Sequence, residues 1–405
     1  MEWLGEVPEH WDITPFKRLI DIQNGSDHKH IEQDEGYPVI GSGGPFAYAS
    51  EFMYDGESVL LGRKGTIDKP LYVRGKFWTV DTMYWTKIAF DACGRYAYYL
   101  ALTIPFDYYS TNTALPSMTK GALHAHMVSR PPLTEQTQIA AFLDRETAKI
   151  DELVAEQRRL MALLKEKRQA VISHAVTRGL NPDAPIKPSG IEWVGDVPEH
   201  WDVRRVKSVS TFTTSGPRGW SERVGDKGSI FVQSGDLNQN LGVDFSNSKR
   251  VNVTVDAEAA RTQLCDGDVV VCITGAKTGN VAVCVSVPEV AYINQHLCLI
   301  RPNSDMLPVF LGVLLKCNLG QTYFDFSQYG LKQGLSLEDV REAPVLAPPF
   351  TEQTAIGRYV ETESAKFDTL TTEAQRAIDL LQERRTALIS AAVTGQIDVR
   401  GMVAA

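Results

Sequence analysis

An internal duplication constrains the fold of this 405-residue chain more than any other feature. The segment EWLGEVPEHWD at residues 2–12 returns 190 residues later as EWVGDVPEHWD at residues 192–202. A second block, PPLTEQT at residues 131–137, returns 217 residues later as PPFTEQT at residues 348–354. Each half is therefore expected to follow one plan: a short motif, a variable region, a Pro-Pro boundary and a long helix.

The segments after the two Pro-Pro pairs have the apolar spacing of a coiled coil. A 4-3 repeat begins at Ile139, and the same repeat begins at Ile356. It predicts two helices of about 40 residues, each ~60 Å long at 1.5 Å per residue. We expect them to pair antiparallel, with Glu146 or Glu363 approaching the basic position of the other helix. The alternative is that each helix packs only on its own domain. The predicted helix-pairing residues are Ile139, Leu143, Ile150, Leu153, Leu160, Leu164, Ile356, Val360, Phe367, Leu370, Leu381 and Leu388.

The variable regions, about 18–130 and 208–347, have the pattern of β-rich domains. Short β-prone runs at 58–62, 77–80, 269–273 and 281–285 alternate with glycines. One helical run follows in each region, at 96–104 and 309–316. The predicted fold is α+β: two pseudo-repeated β-rich domains joined by two long helices that form an antiparallel coiled coil. The predicted segments are 1–130 (first domain), 131–178 (first helix), 179–190 (linker), 191–347 (second domain) and 348–398 (second helix and tail).

Composition excludes several classes of protein. With 41 basic and 50 acidic residues the net charge is −9, so the chain is not coated in basic charge for nucleic acid. No apolar stretch reaches the roughly 18 residues of a membrane span, and residues 1–6 do not resemble a signal peptide. The six cysteines form no Cys-x-x-Cys pair, as expected of small buried hydrophobes in a reducing compartment. These features predict a cytoplasmic protein.

No convincing catalytic constellation is present. The run GAKT at residues 275–278 resembles the end of a phosphate-binding loop, but the preceding glycine spacing is wrong. The pairs His28/His30 and His124/His126 lack a Cys or carboxylate at ligand spacing, so we interpret them as structural or surface histidines. We therefore predict no catalytic, cofactor-binding or metal site in this chain.

Polar side chains on glycine-rich loops remain, and they favour a binding surface. Glycines let the backbone approach a partner closely, and Arg, Lys, Gln and Asn read base edges in the major groove of DNA. The candidate DNA-binding residues are Ser42, Arg63, Lys64, Thr66, Ser215, Arg218, Trp220, Gln233, Ser234, Asn238, Thr274, Lys277, Thr278 and Lys332.

With these motifs the whole chain resembles the specificity subunit of type I restriction-modification systems. The resemblance lies in the duplicated Trp-x-Gly-x-Val-Pro-x-His-Trp motif and the two Pro-Pro-x-x-Glu-Gln helices. It extends to GRKGT at residues 62–66 with FWTVDT at 77–82, and to ITGA at 273–276 with INQH at 293–296. Arg63, Lys64 and Thr66 match a Gly-Arg-x-Gly-Thr stretch of the family, whereas Asp68 stands where the family has glycine.

The resemblance implies two target recognition domains, each reading one half of a split site in double-stranded DNA for phage defence. The helices would set the spacing and dock two modification (adenine methyltransferase) subunits, and restriction and translocase subunits would join. S-adenosylmethionine, ATP and Mg²⁺ would be bound only by those partners, and the chain itself would be a non-catalytic, cytoplasmic subunit.

Two other classes of function compete with this interpretation. A coiled-coil interaction scaffold with two β-rich binding domains would retain no DNA. A self-sufficient methyltransferase or nuclease would need a cofactor or metal motif, and the sequence offers none that is convincing.

Overall fold

A computed structural model describes residues 4–109, 116–254, 256–328 and 334–402. The described residues form two compact units. The first unit is drawn from residues 1–159 and 374–405, and the second from residues 160–373. Among the described residues, no helix combines the length and the apolar character that crossing a bilayer requires.

The first half of the chain is β-rich and ends in a 46-residue helix. Its elements are β1 (Asp12–Pro15), β2 (Ile20–Asn24), β3 (Glu32–Gln33), β4 (Tyr37–Gly41), β5 (Gly44–Ala49), β6 (Tyr54–Gly62), β7 (Leu71–Thr79), β8 (Met83–Ile88), α1 (Gly94–Ala101), α2 (Phe106–Tyr109), α3 (Lys120–Ala125), β9 (Met127–Arg130) and α4 (Leu133–Arg178).

The second half repeats this order with more short strands and ends in a 44-residue helix. Its elements are β10 (Ile186–Pro188), β11 (Asp196–Pro198), β12 (Asp202–Arg205), α5 (Val206–Val209), β13 (Ser210–Ser215), β14 (Val224–Gly225), β15 (Ser229–Val232), β16 (Lys249–Val251), α6 (Ala257–Thr262), β17 (Val269–Cys272), β18 (Val281–Val283), β19 (Ala291–Ile293), β20 (Leu297–Pro302), α7 (Pro308–Lys316), α8 (Asn318–Ser327), α9 (Leu337–Glu342), β21 (Pro344–Ala347) and α10 (Phe350–Val393).

The sheets confirm the predicted α+β class. The first unit holds a seven-stranded sheet of order β2-β8-β6-β7-β4-β5-β3. The second unit holds two four-stranded sheets, β13-β20-β17-β18 and β14-β16-β15-β19. A two-stranded antiparallel ribbon leads into each long helix: β1 pairs with β9 before α4, and β12 pairs with β21 before α10. The two domains therefore share a plan although their central sheets have diverged.

Within each unit, the beginning of one long helix packs against the end of the other. In the first unit, Ile139 near the start of α4 shares a buried apolar cluster with Ile389 and Val393 near the end of α10. In the second unit, Ile356 near the start of α10 shares a cluster with Val176 near the end of α4. Each unit thus contains an antiparallel helix pair, as predicted.

The helix-pairing face differs from the predicted one at three of the twelve predicted residues. Ile150 and Phe367 are buried, but Leu153, Leu160 and Leu370 are 50%, 44% and 45% exposed. The residue after each of these three is less exposed: Val154 is buried, and Met161 and Thr371 are half-buried. The assignment of Leu153, Leu160 and Leu370 to the seam was wrong, because the helices carry a second apolar stripe beside the first. The other predicted seam residues are buried (Ile139, Leu143, Ile356, Val360) or half-buried (Leu164, Leu381, Leu388).

The ion pairs between the helices also differ from the predicted ones. Glu146 pairs with Arg145 and Lys149 of its own helix, and Glu363 pairs with Lys366. The charges that do bridge the helices are Asp151 with Arg385 in the first unit (2.9 Å) and Asp368 with Arg168 in the second (2.6 Å). These two pairs are related by the 217-residue offset of the Pro-Pro blocks, so the duplication extends to the helix contacts.

The duplicated His-Trp motif fastens each domain to the start of its long helix. In the first unit, Trp11 Nε1 donates to Glu135 (3.0 Å), and His10 Nε2 contacts the other carboxylate oxygen (2.9 Å). In the second, Trp201 and His200 make the same two contacts with one oxygen of Glu352, at 3.1 and 2.8 Å.

The other long helix meets the same motif through a glycine. Gly395 follows α10 with φ +77°, and a Cβ there would lie 2.4 Å from the Pro8 ring. Gly179 has the same φ after α4 and lies against Trp201 and Pro198. Both positions therefore need glycine, because the backbone is left-handed at each and Pro8 leaves no room beside Gly395.

A buried histidine makes the first unit sensitive to acid. His126 is 3% exposed, its Nδ1 lies 3.0 Å from the Tyr109 hydroxyl, and burial lowers the pKa of its ring to about 4. The unfolded imidazole has a pKa near 6.5, so the unfolded chain binds more protons between pH 6.5 and 4. Stability should therefore fall by roughly 2–3 kcal/mol as the pH drops through that window.

We expect His126→Gln to remove most of this pH dependence, measured as the difference in the free energy of urea unfolding between pH 7 and pH 4.5. The exposed His30, changed to Gln, is the matched control and should leave the dependence intact. Equal pH dependence in wild type and His126→Gln would contradict the assignment.

Candidate nucleic-acid interface

Loops at one end of the first domain are joined by backbone hydrogen bonds. We call loops 24–30, 41–44, 63–68, 80–82 and 116–118 the first loop cluster. Gly25 N donates to Met83 O (3.0 Å), Met83 N to Val80 O (3.0 Å), Val80 N to Ile40 O (3.4 Å), Arg63 N to Thr82 O (2.9 Å) and Met118 N to Arg63 O (3.0 Å). These bonds fix the backbone of the loops on the strand ends that carry them.

The second domain has a matching set of bonds. We call loops 215–219, 233–236, 273–279, 294–296 and 334–336 the second loop cluster. Gly216 N donates to Leu297 O (3.3 Å), Leu297 N to Asn294 O (3.1 Å), Asn294 N to Val232 O (3.0 Å), Ile273 N to His296 O (2.8 Å) and Leu335 N to Ile273 O (2.7 Å). The five bonds connect corresponding points in the two domains, so one backbone framework carries both clusters despite little shared sequence.

Glycines at two corresponding positions are required by this framework. A Cβ on Gly25 would lie 2.0 Å from Val80 O, and one on Gly216 would lie 2.2 Å from Asn294 O. Gly65 and Gly275 have φ of +83° and +97° and turn the chain after Lys64 and Thr274. The glycine-rich sequences thus serve close packing of the loops, which leaves the adjacent side chains at the surface.

In the first domain, the predicted residues divide into internal and exposed ones. Ser42 is half-buried in the turn between β4 and β5. Arg63 is half-buried: its Nη1 donates to Asp81 O (3.2 Å) and its guanidinium lies 5.9 Å from the centre of the Tyr84 ring. Lys64 and Thr66 are exposed, so they alone of the four present their side chains freely.

Trp220 of the second domain does not reach the surface. It is 2% exposed and packs on Phe231 and Tyr292, with ring centroids 6.4 and 5.4 Å away. The prediction that Trp220 contacts DNA was wrong, because the glycine-rich loop before it turns the indole into the apolar cluster. Arg218 is exposed in that same loop.

The structure brings together most of the other second-domain candidates. Thr274 Oγ1 lies 2.5 Å from His296 Nδ1, Lys277 Nζ donates to Gly235 O (3.2 Å), and Thr278 Oγ1 donates to Gly275 O (2.7 Å). The first two bonds tie the 273–279 loop to its two neighbours, and the third lies within the loop. Ser215, Gln233 and Ser234 are half-buried in the adjoining loops.

Two candidates lie elsewhere. Asn238 is exposed, but its Oδ1 accepts bonds from Asn240 N and Gly242 N (2.9 Å each) within its own turn. Its carbonyl oxygen accepts from Lys316 at the end of α7 (3.4 Å). Burial and the nearby Arg168 lower the pKa of Lys316 to about 8. Lys332 falls outside the described residues.

Sequence reasoning missed Asp81, Thr82, Gln295 and His296 as candidate contacts. These four residues lie directly before equivalent strands, β8 in the first domain and β20 in the second. The first three bonds of each framework show that the two positions correspond. Asp81, Thr82 and His296 are exposed, and Gln295 is half-buried. The signal was present in the runs FWTVDT and INQH, but only the matched bonds show that the two runs correspond.

The charge on the clusters is local and mixed. Residues 18–130 carry 11 basic and 12 acidic side chains, and residues 208–347 carry 11 and 14. Among the described residues, the exposed cations are Lys29, Lys64 and Lys69 in or beside the first cluster and Arg218 and Lys277 in the second. Neither domain is a basic clamp, so among the described residues few cations are available to contact phosphates.

Comparison with known proteins identifies similar chains. Residues 8–159 match the family model of the type I restriction modification DNA specificity domain. The chain is 23% identical to the type I restriction enzyme EcoBI specificity subunit of Escherichia coli, covering 97% of this chain and 88% of that one. It is 22% identical to the EcoDI specificity subunit of the same species, covering 97% and 90%.

Two solved structures share the fold. A chain from a structural study of complex assembly and conformational transition in the type I R-M system superposes with a TM-score of 0.74. That match has 15% identity and covers 97% of this chain and 100% of that one. The HsdS subunit from Thermoanaerobacter tengcongensis gives 0.53 at 15% identity, covering 96% and 98%. These structures show a shared fold, and the family model and the curated relatives confirm the family resemblance seen in the sequence.

Proposed function

We propose that this chain, a type I restriction-modification specificity subunit by its sequence relationships, recognises a two-part DNA sequence with one loop cluster per half-site. The observation that carries the proposal is the matched framework: two domains present corresponding loops on the same set of five backbone bonds. Two weakly specific domains multiply their discrimination, since each mismatched base pair costs about 1–3 kcal/mol.

The long helices would set the distance between the half-sites. At 1.5 Å per residue, α4 is about 69 Å long, roughly two turns of DNA. Residues 133–159 of this helix belong to the first unit and residues 160–178 to the second, so α4 is shared between the two DNA-reading domains.

The same helices would dock two modification subunits, with restriction and translocase subunits joining them. Three pairs of exposed apolar residues at the 217-residue offset support two equivalent docking sites: Leu133 and Phe350 (44% and 49% exposed), Leu153 and Leu370 (50% and 45%), and Leu163 and Leu380 (52% and 56%). Large side chains exposed at corresponding places favour a repeated protein contact.

Catalysis would reside in those partners, which would bind S-adenosylmethionine, ATP and Mg²⁺. Because both DNA-reading regions are slightly acidic, much of the phosphate contact would also come from the partner methyltransferases. The free chain should therefore bind DNA weakly.

Co-expression with the modification subunits tests the proposal. We expect adenine methylation at one two-part motif, mapped by long-read sequencing of the host DNA. Replacing residues 18–130 with the matching region of a relative should change one half of the motif and leave the other half intact. A complete complex that methylates no such motif would refute the proposal, and a change in both halves would refute independent reading by the two domains.

A further inference from the structure

The two loop clusters share a backbone but differ in the side chains that they expose at corresponding positions. In the matched hydrogen-bond frameworks, Asp81 of the first domain occupies the position equivalent to Gln295 of the second, and Thr82 the position equivalent to His296. We propose that Asp81 and Gln295 are specificity-determining residues, each reading one base pair of its half-site. This inference rests on the proposed function. Corresponding positions on one framework that carry different polar side chains are suited to reading different bases.

Asp81 combines a fixed backbone with a free side chain. Its carbonyl oxygen accepts from Arg63 Nη1 (3.2 Å), and the next carbonyl, of Thr82, accepts from Arg63 N (2.9 Å) and Lys64 N (3.2 Å). The carboxylate is exposed and bonds to no side chain or backbone group among the described residues. The backbone at Asp81 is thus held at a defined place, and the acceptor capacity of the carboxylate is unused.

Gln295 is oriented by a chain of hydrogen bonds. Its Nε2 donates to Nε2 of His296 (3.3 Å), which leaves the Nδ1 proton of that ring for Thr274 Oγ1 (2.5 Å). His296 N in turn donates to Oδ1 of Asn294 (3.1 Å), whose side chain is buried. The Oε1 atom of Gln295 accepts no bond from the described residues, so the amide is positioned and retains a free acceptor.

The two side chains have different chemistry toward base edges. A carboxylate only accepts, and the donor of cytosine in the major groove is its N4 amino group. A glutamine amide both donates and accepts, which suits N7 and N6 of adenine. We therefore expect Asp81 to select cytosine in the first half-site and Gln295 to select adenine in the second.

Isosteric substitutions test this in the complex with the modification subunits. Asp81→Asn should change one base pair of the first half-site from cytosine toward adenine, with a preference shift of about 10- to 100-fold, and leave the second half-site unchanged. Gln295→Glu should change one base pair of the second half-site from adenine toward cytosine and leave the first half-site unchanged. The readout is the methylated motif, with methylation rates on duplexes that vary at each position.

The control is Asp55→Asn, which makes the same change of charge at an exposed residue of β6, outside the loop cluster. It should leave both half-sites unchanged. If Asp81→Asn and Gln295→Glu each retain the wild-type motif, or slow methylation equally on every duplex, the inference is overturned while the proposed function stands. If the wild-type complex methylates no two-part motif, both fail.

Discussion

Leu153→Asp combined with Leu370→Asp is expected to prevent assembly with the modification subunits while leaving the stability of the free chain unchanged. Both leucines are about half exposed and correspond through the duplication, so each would lie in one of the two proposed docking sites. An unpaired carboxylate buried in an interface costs several kcal/mol. Co-purification with the modification subunits should fall by more than about 100-fold, and methylation should be lost.

The adjacent residue provides the matched contrast. Val154 is 8% exposed, so Val154→Asp should lower the free energy of unfolding by about 2 kcal/mol or more, since it puts a carboxylate in place of a buried apolar side chain. Urea unfolding of the free chain distinguishes the two variants. A destabilised Leu153→Asp chain with an unaffected Val154→Asp chain would show that the helix-pairing face had been assigned to the wrong side.

Trp201→Ala is expected to destabilise the second unit by about 3–5 kcal/mol. The indole is fully buried, packs edge-to-face on Phe310 at 6.5 Å and donates to Glu352 (3.1 Å). Its removal would leave a cavity and free the start of α10 from the domain. Hydrogen exchange followed by mass spectrometry should show faster exchange across residues 160–373.

Trp193→Ala is the control for that experiment. Trp193 is 37% exposed, and its ring lies 5.4 Å from the exposed Phe326. We expect a loss below about 1.5 kcal/mol because little buried volume is removed. Equal losses for Trp193→Ala and Trp201→Ala would contradict the specific role of Trp201 in fastening the start of α10.

The fold could be predicted from the sequence because the duplication and the helix periodicity are long-range, repeated signals. The sequence did not predict which face of each long helix packs against the other helix. Heptad positions such as Ile150 and Phe367 are buried, but the alternate positions offer two adjacent apolar stripes, Leu153 on one and Val154 on the other. Periodicity shows that a face is apolar and does not show which protein covers it. The more hydrophobic stripe lies outside the intramolecular pair, and Arg168 and Arg385 occupy the less hydrophobic one.

The candidate site was predictable as a set of loops and only partly as side chains. Glycine-rich sequences located the clusters, but the direction of a side chain in a loop depends on bonds between distant segments. Trp220 turns inward onto Phe231, and Arg63 is engaged by the carbonyl of Asp81. Only the matching backbone hydrogen bonds of Val80 and Asn294 show that Gln295 occupies the position equivalent to Asp81.

The division of the chain into units has a consequence for its synthesis. The second unit is one continuous stretch, residues 160–373, whereas the first unit needs residues 374–405 in addition to the N-terminal 159. Domains generally fold as they leave the ribosome, N-terminal first. Here the later-encoded unit has all its residues before the earlier one does. The first unit cannot complete its apolar cluster until Ile389 and Val393 have been synthesised. Until then the surfaces of Ile139 and Leu143 that these residues cover stay exposed to solvent. During translation, the N-terminal unit is therefore the one exposed to aggregation and to proteolysis.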